Sequence, residues 1–448
     1  MSIQVSPKPE VSYLSRLLEQ FPQQLPASST QSLIQLRERA TTWIQEQTFP
    51  SRRDEEWRFT DLSPLLEMQF QAVKTLDIAS LNFEITPLTL PEAVESRLVF
   101  INGVYAPQLS SVAAITEGVF VGNIAALPSQ YEARLNNYLG KQKGASEVFT
   151  ALNTAGLNDV AVVWVAKDTI IETPLHLLFI SSTDEIPFIC QPRCLVVAEA
   201  GAKLTLVEHY GTDEWNCPNL PVNQPYFNNQ VTEIWVEENA QVNHIRNQRE
   251  SMEAFHIGKT AVSQARNSSY TCNAISLGAK LSRHNLEIFQ KGEGTETVLN
   301  GLTMISGQQL ADTHSTIALA HPHGSANQLH KCIVDNHAHS IFNGKVLVPQ
   351  AAQLTNANQL NRNLLLSPKA RVNTKPQLEI TADNVKCTHG ATVGQLDPEE
   401  VFYLQSRGLN EADARNLLID AFAAEIIGRI PLASLRQRLV QCVACRTS

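Results

Sequence analysis

The sequence predicts a mainly β protein with a parallel β-helix core and helical parts at both ends. From about residue 160 to residue 393, almost no stretch has the apolar spacing of a helix, and short alternating or apolar runs follow one another between polar turns. Similar turns also recur: residues 234–242 resemble residues 196–204, and residues 278–281 repeat the centre of the first segment. A turn of near-constant spacing favours a solenoid over a sandwich or a barrel, which also contain many short strands.

The recurring turn also sets the domain boundaries that we expect. Its Gly or Asn stands at positions 201, 239 and 278, in steps of 38 and 39 residues, and looser versions follow with shorter steps. Gly and Asn tolerate the left-handed backbone of a tight corner, and the small alanine that follows packs beneath it. We therefore divide the chain into an N-terminal helical and mixed region (1–159), a parallel β-helix core (160–394) and a C-terminal helical domain (395–448).

The N-terminal region begins with two predicted helices. Apolar residues at helical spacing stop at Pro22, and a second such series follows Ser29 and Thr30. The first series is Leu14, Leu17, Leu18 and Phe21, and the second is Leu33, Leu36, Ala40, Trp43 and Ile44. From residue 61 to about residue 158 the pattern is mixed, with a strand-like run at 98–101 that turns at Asn102 and Gly103.

The C-terminal domain is predicted to be a set of helices. Asp397 followed by Pro398 is a helix-start signature, Gly408 ends that helix, and residues 410–413 cap a second one. The second helix has apolar side chains around much of its circumference, including Leu417, Leu418, Phe422 and Ile426. These side chains predict either a docking surface for another protein or contacts that close the end of the solenoid.

Composition excludes several classes of function. The 448 residues carry 35 Lys and Arg against 44 Asp and Glu, a net charge of −9, so we expect no nucleic-acid partner and no binding to an acidic membrane. The longest apolar run, residues 160–166, is far shorter than the roughly 20 residues that cross a bilayer, and the first ten residues do not resemble an export leader. The eight scattered cysteines are expected to be reduced thiols in a cytoplasm.

Histidine and cysteine residues concentrate late in the β region and suggest metal binding. Within single strands, members of the pairs His321/His323, His337/His339 and Cys387/His389 would share a face. Thiolate and imidazole suit iron, zinc or an iron–sulfur cluster, although a single such pair more often lies on a wet surface. The pair Cys387/His389 is the strongest candidate, because it precedes a glycine at the junction with the helical tail. The other candidates are His314, His330 and Cys332.

Motifs for nucleotide binding or hydrolysis do not occur, so we expect a non-enzymatic protein that does not hydrolyse ATP unaided. Cys442 and Cys445 form a CxxC motif without the second pair or the setting that a zinc or redox site needs. Three alternatives stay open. The first is a carbohydrate-active β-helix enzyme that uses Asp312, Asp335 and Asp383. The second is a self-contained metal enzyme that uses the histidines, and the third is a plain interaction protein.

Four segments carry a resemblance to a known family. The segment 382–408, ADNVKCTHGATVGQLDPEEVFYLQSRG, and the segment 53–62, RDEEWRFTDL, resemble the SufB/SufD family, and the similarity extends to residues 343–346 and 358–366. It covers both ends and the β middle of the chain. The SufB branch typically reads His-Glu-Ala-Thr where this chain has His389-Gly390-Ala391-Thr392, so position 390 favours the SufD branch.

The resemblance implies a right-handed β-helix that serves as a scaffold subunit in iron–sulfur cluster assembly. It implies pairing with SufB, binding of the ATPase SufC through the C-terminal helices, and sulfur supply from a cysteine desulfurase by way of SufE. Carried over by position, the histidine at the SufB interface is His389 and the neighbouring thiol is Cys387, which would hold iron or a nascent cluster. Some complexes of the family carry reduced flavin, but no residue here indicates a flavin site. Whether the isolated chain forms a homodimer stays an open alternative.

Overall fold

A computed structural model of the chain describes residues 9–21, 31–73, 84–113, 115–143, 147–182, 186–212 and 224–447. Two long, mainly parallel sheets run through it and form a β-solenoid, which confirms the predicted β-helix core. Each coil contributes one strand to each sheet. The described strands before the regular coils are β1 (Gln71–Ala72), β2 (Arg97–Ile101), β3 (Val104–Tyr105), β4 (Val119–Asn123), β5 (Ala161–Val165), β6 (Leu175–Ser181), β7 (Phe188–Cys190) and β8 (Arg193–Ala198).

The regular coils follow, with strands of about ten residues joined by short corners. These strands are β9 (Lys203–Thr212), β10 (Tyr226–Val236), β11 (Gln241–Glu250), β12 (Phe255–Gln264), β13 (Ser269–Gly278), β14 (Leu281–Gln290), β15 (Glu296–Ile305), β16 (Leu310–Leu319), β17 (Ser325–Val334), β18 (His339–Val348), β19 (Asn356–Leu365), β20 (Arg371–Ile380) and β21 (Lys386–Gly394).

From β8 onward, successive strands alternate between the two sheets, and we name the sheets even and odd after these strands. The even sheet runs in the order β20-β18-β16-β14-β12-β10-β8-β5-β4, and the odd sheet in the order β21-β19-β17-β15-β13-β11-β9-β6-β2-β3. The pairs β2–β3 and β4–β5 are antiparallel and stand at the start of the solenoid, whereas all pairs between the long coil strands are parallel. The last coil, β20 and β21, has no further strand beyond it in the described chain.

The corner residues correct the predicted repeat. Gly201 and Asn239 do occupy the same corner, since each has positive φ and each N–H bonds to a carbonyl of the following coil. The next members of this corner are Asn267 and Gly294, also at positive φ, whereas Gly278 lies at the opposite corner, between β13 and β14. The 39-residue step was therefore wrong, because it compared two different corners whose Gly-Ala sequences look alike.

An apolar column fills part of the solenoid interior. Ile234, Val262, Ile288, Ile317 and Val346 pair in register from β10 to β18, and all five are buried. Each such aliphatic side chain contributes about 1.5–3 kcal/mol when it is fully buried. Because coil stacks on coil in fixed register, the same interior position recurs along the whole length of the solenoid.

Helices cover the outer faces of both sheets. The N-terminal helices pack against the even sheet around Phe149, Phe227 and Phe255, and the C-terminal hairpin packs against the odd sheet. The described helices are α1 (Pro9–Gln20), α2 (Gln31–Ile44), α3 (Ser63–Leu66), α4 (Ser129–Glu132), α5 (Val148–Ala155), α6 (Pro398–Ser406), α7 (Glu411–Ile427) and α8 (Ala433–Thr447). The predicted caps are present: Asp397 accepts the N–H of Glu399 at 2.8 Å, and Asn410 accepts that of Asp413 at 2.8 Å.

Candidate functional site

The last strand, β21, carries the strongest sequence candidate, the pair Cys387/His389. β21 pairs with β19 from Lys386↔Asn356 to Gly394↔Leu364, and its other edge faces no strand of the described chain. The corresponding edge of the even sheet, β20, contains Pro376, which has no N–H to donate to a further strand. β21 contains no proline. The odd sheet therefore offers the better edge for pairing with another chain.

Cys387 points into the solenoid. Its register places it at the end of an interior column that includes Leu204, Val242, Ala326 and Ala357, and it packs against the interior core. The thiol is half-buried because no further coil covers it. Burial raises the pKa of the Cys387 thiol, so in the isolated chain the sulfur is held as a neutral thiol. A metal ion would displace its proton.

His389 ends the neighbouring interior column. Two residues after Cys387 on the same strand face, it follows Gln328 and Gln359 in register. The Gln359 Nε2 donates to Gln328 Oε1 at 2.9 Å, whereas the buried Gln359 Oε1 has no hydrogen-bond partner. His389 itself is exposed, because the solenoid stops there. The end of the solenoid thus presents an imidazole and a thiol side by side, and the unpartnered Gln359 Oε1 lies on the adjacent strand, β19.

The outward face of β21 is polar and closely packed against β19. Thr388 Oγ1 donates to Asn358 Oδ1 at 2.8 Å. A Cβ at Gly390 would lie 3.3 Å from Leu360 Cδ1, which is tight. The glycine was predicted to permit close backbone approach, and the close neighbour in this chain is the Leu360 side chain on β19, in the preceding coil.

The other predicted histidine pairs do not form chelating pairs within strands. His321 and His323 lie in the corner between β16 and β17, and His337 lies in the corner before β18. His339 Nε2 bonds to Asn373 Oδ1 at 2.7 Å. The strand geometry assumed for these pairs was wrong, because the corners of this solenoid are polar and tolerate histidine.

Of the remaining metal candidates, two lie inside the solenoid and one lies outside it. His330 and Cys332 are buried in the interior, where desolvation lowers the pKa of His330 to about 4. His314 is on the outer face of the even sheet, between the carboxylates of Glu56 and Asp312. Within the described ranges, no three His, Cys, Asp or Glu side chains are grouped so that they could hold a metal ion.

The three carboxylates considered for a carbohydrate enzyme are separated. Asp312 is buried on β16, where it pairs with Arg283 and accepts from Thr60 Oγ1 at 2.5 Å. Asp335 lies in the corner after β17 and accepts the N–H of Asn336, and Asp383 lies in the opposite corner, after β20. They do not form the facing pair that glycoside hydrolysis uses.

The predicted docking residues on α7 divide into two groups. Leu417 is 49% exposed and Leu418 is half-buried, whereas Ile426 is fully buried against the odd sheet and Phe422 packs partly against it. Lys331 on β17 clamps this part of α7, since its Nζ lies 4.2 Å from the Phe422 ring centroid and 2.5 Å from Glu425 Oε2. The prediction that Ile426 docks a partner was therefore wrong, because Ile426 packs against the odd sheet and is not available for docking. Exposed apolar side chains missed by the prediction are Phe402 and Tyr403 on α6.

A buried ionisable network inside the middle coils was also missed. His244 Nε2 lies 3.1 Å from Glu208 Oε2, and its Nδ1 lies 2.8 Å from the Tyr270 hydroxyl; all three side chains are buried. Burial alone lowers the pKa of His244, but the adjacent Glu208 carboxylate and the Cys272 sulfur together raise the pKa to about 9. A second pair, Glu250 and His256, lies nearby at 2.7 Å. From the sequence alone, the polar residues of these strands would be expected to face solvent, because polar and apolar residues alternate along each strand.

Among the helices that the structure describes, none is both long and apolar enough to span a bilayer.

Comparison with known proteins assigns most of the chain to one group. Residues 179–422 match the family model described as "SUF system FeS cluster assembly, SufBD core domain", and residues 8–177 match the "SufBD protein N-terminal region". A Synechocystis protein named as an iron–sulfur cluster assembly SufBD family protein is 53% identical over 97% of this chain and 96% of its own length. The Escherichia coli iron–sulfur cluster assembly protein SufD is 33% identical over 89% of each chain. The Bacillus subtilis protein of the same name is 26% identical over 73% of this chain and 74% of its own length.

Proposed function

The chain belongs to the SufBD family of the SUF iron–sulfur cluster assembly system, and from this premise we propose that it is a non-enzymatic scaffold subunit of the SufD type. In this proposal, the open end of the solenoid meets the SufB subunit, and iron or a nascent cluster is the cargo held between them. The observation that carries the proposal is the placement of Cys387 and His389 together on the last strand, β21, whose outer edge pairs with no strand of the described chain.

The ligand set supports a shared site. Cys387 and His389 are two donors, whereas an iron–sulfur cluster is commonly held by four. The remaining donors would come from the partner that covers β21. Mixed thiolate and imidazole ligation at an edge exchanges more readily than a closed site of four cysteines, and a scaffold must release what it assembles. The sulfur would come from a cysteine desulfurase with SufE, by way of SufB.

The C-terminal helices supply a second proposed contact, with the ATPase SufC. Leu417 on α7 is exposed, and Phe402 and Tyr403 on α6 are 71% and 57% exposed, so an apolar surface is available beside the buried part of α7. Glu425 connects α7 to the coils through Lys331 on β17 and Arg362 on β19, the strand that pairs with β21. Movement of α7 on ATP turnover would thus reach the strand next to the proposed cargo site.

The role of the imidazole is tested by His389→Ala in the assembled complex. The expected result is loss of cluster formation, followed by the visible absorption of the cluster, with unchanged subunit composition on size exclusion. The matched control is His321→Ala, another exposed histidine, which lies in a corner away from β21 and should leave cluster formation unchanged. Full cluster loading of the His389→Ala complex would contradict the assigned role.

Docking of the ATPase is tested by Leu417→Asp. Burying an added carboxylate against an apolar partner is costly, so we expect SufC binding in titration calorimetry to weaken at least about ten-fold, or about 1.4 kcal/mol. Ile170→Asp is the control, since Ile170 is 58% exposed at the other end of the solenoid. Equal SufC affinity of both variants would contradict docking at Leu417.

A further inference from the structure

A carboxylate is held by converging donors on the outer face of the even sheet, far along the chain from β21. Glu56 lies in the short 3-10 turn Glu55–Trp57, and its Oε2 is 3.0 Å from His314 Nδ1 and 3.3 Å from Asn343 Nδ2. Lys345 Nζ is 3.7 Å from Oε1 of the same carboxylate. The three donors come from β16 and β18, which are neighbouring strands, so the sheet itself fixes their spacing.

The donors are set in place without help from Glu56. The other ring nitrogen of His314, Nε2, faces Asp312 Oδ1 at 2.9 Å, which orients the imidazole so that Nδ1 points outward. Asp312 is in turn paired with the buried Arg283. Arg283 Nη1 also lies 3.2 Å from His314 Nε2, while the two flanking carboxylates favour the protonated imidazole, whose Nδ1 faces Glu56.

The backbone of the turn is anchored independently of the Glu56 side chain. Arg283 Nη1 donates to the Glu56 carbonyl oxygen at 2.8 Å, and the Arg283 guanidinium lies 3.8 Å from the centroid of the buried Trp57 ring. The Glu56 side chain is half-exposed, so it can rotate towards solvent while the turn stays in place. Its departure would leave the donors His314, Asn343 and Lys345 in place, since Lys345 Nζ is also 3.5 Å from Glu379 Oε1.

Space for a ligand lies on both sides of Glu56. A cavity of about 260 Å³ is lined by Phe59, Thr60, Ile341 and Lys375 among others, and one of about 320 Å³ by Asn285, Ser315 and Thr316 among others. Glu56, His314 and Asn343 line both. The Asn343 side chain is 93% buried, and its Oδ1 has no hydrogen-bond partner. Beside the carboxylate position, the site therefore has an acceptor that still lacks a donor.

We infer that His314, Asn343 and Lys345 form a binding site for a small carboxylate, and that Glu56 occupies it as an internal ligand. The unpartnered Asn343 Oδ1 assigns the ligand class: a carboxylate with a hydroxyl or amine on the adjacent carbon, of the α-hydroxy or α-amino acid kind. Such a ligand would place its carboxylate where Glu56 now sits and donate to Asn343 from its neighbouring group. The inference does not depend on the proposed scaffold role.

The test uses the full chain with Glu56→Ala and glycolate as the probe, at constant ionic strength maintained with chloride. Glycolate should raise the thermal unfolding midpoint of Glu56→Ala, with an apparent dissociation constant at least about ten-fold lower than for the unmodified chain. Glu56→Gln should not respond, because its amide still fills the position. Glu55→Ala should behave as the unmodified chain does, since Glu55 pairs with Lys375 outside the donor set.

Further outcomes decide the inference. Adding Lys345→Met to Glu56→Ala should abolish the glycolate response, and acetate, which lacks the neighbouring donor, should bind more weakly than glycolate. If Glu56→Ala does not fold in chloride, glycolate present during refolding should restore the folded protein. Equal stabilisation of all variants by glycolate, acetate that matches glycolate, or failure to fold in both salts would overturn the inference.

Discussion

The two ends of the solenoid differ in how far their interior side chains are exposed. At the start, antiparallel strands β3 and β4 finish the two sheets, and the interior column that passes through Phe179 and Tyr210 is buried. At the other end, the same column finishes at Val393, which is 51% exposed. A full-length strand without a covering element is a template for pairing with another chain. The difference therefore supports the proposal that the partner binds at the end formed by β21, and it does so without any appeal to sequence similarity.

A second interior column, which ends at His389, shows the same contrast. His244, in β11, and His389, in β21, occupy equivalent inward positions. His244 is fully buried and paired with Glu208, whereas His389 is exposed. One imidazole is committed to the interior of its own chain, and the other is available to a ligand or a partner.

The largest expected effect on stability comes from truncating one side chain at each end of the interior column that runs from Phe179 to Val393. Phe179→Ala removes a ring that stacks on Phe100 and Tyr210, so the free energy of unfolding should fall by about 3–5 kcal/mol. Val393→Ala should change it by less than about 0.5 kcal/mol, because that side chain is exposed. Urea unfolding of both variants measures the difference. Equal losses would mean that the end of the solenoid is covered.

Removing a charge from the buried pair should have the next largest effect. Glu208→Gln leaves His244 without its counter-charge in the interior and should lower the free energy of unfolding by about 3 kcal/mol. His389→Gln, at the equivalent position of the last coil, should leave it nearly unchanged. Thermal and urea unfolding compare the two. A stability loss of similar size in His389→Gln would show that His389 has a buried partner.

The buried pair also predicts a dependence of stability on pH. Burial lowers the pKa of His244, but the Glu208 carboxylate, with a smaller contribution from Cys272, raises it to about 9, above the ordinary value of 6.5. A group whose pKa is higher in the folded state contributes its full stabilisation below about pH 6.5 and loses it as the pH rises towards 9. Unfolding measured from pH 6.5 to pH 9.5 should show this decline. Glu208→Gln should reduce the slope, and an unchanged slope would contradict the assignment.

The smallest expected effect is a difference in thiol reactivity, which does not involve a change in stability. Cys387 is half-buried, whereas Cys272 and Cys332 are fully buried in the same solenoid. Iodoacetamide at mildly alkaline pH should therefore modify Cys387 and spare the other two in the native protein, as peptide mass spectrometry would show. Burial raises the pKa of Cys387, so the reaction should be slower than that of a fully exposed thiol. Protection of Cys387 in the isolated chain would mean that the end is closed.

The sequence predicted the architecture because solenoid corners leave a local signal. The Gly or Asn at a positive-φ corner, and the alternation within each strand, are read over a few residues. The repeat length was missed because Gly278 and Gly201 have similar neighbours but stand at opposite corners, and only strand pairing distinguishes them. The prediction of two capped C-terminal helices succeeded for the same reason as the corners: capping residues act locally.

The candidate site was partly predictable. Residues two apart in a strand share a face, which placed Cys387 and His389 together. Their exposure depends on β21 being the last strand of the stack, and this is a property of the whole fold. The buried network around Glu208 and His244 could not be found, because a polar residue that is satisfied inside a solenoid looks like a surface residue in sequence. Ile426 was assigned to a docking surface for a different reason: α7 is apolar around much of its circumference, and the sequence does not show which face the odd sheet covers.

The most direct test is backbone hydrogen exchange of the chain alone and in complex with SufB. The account predicts that complex formation slows exchange of the β21 amides, residues 386–394, because their free edge becomes paired or covered. Amides of β3 and β4, at the other end of the solenoid, should exchange as before. Unchanged exchange across β21, together with new protection at β3 and β4, would contradict the claim that the open end of the solenoid is the interface.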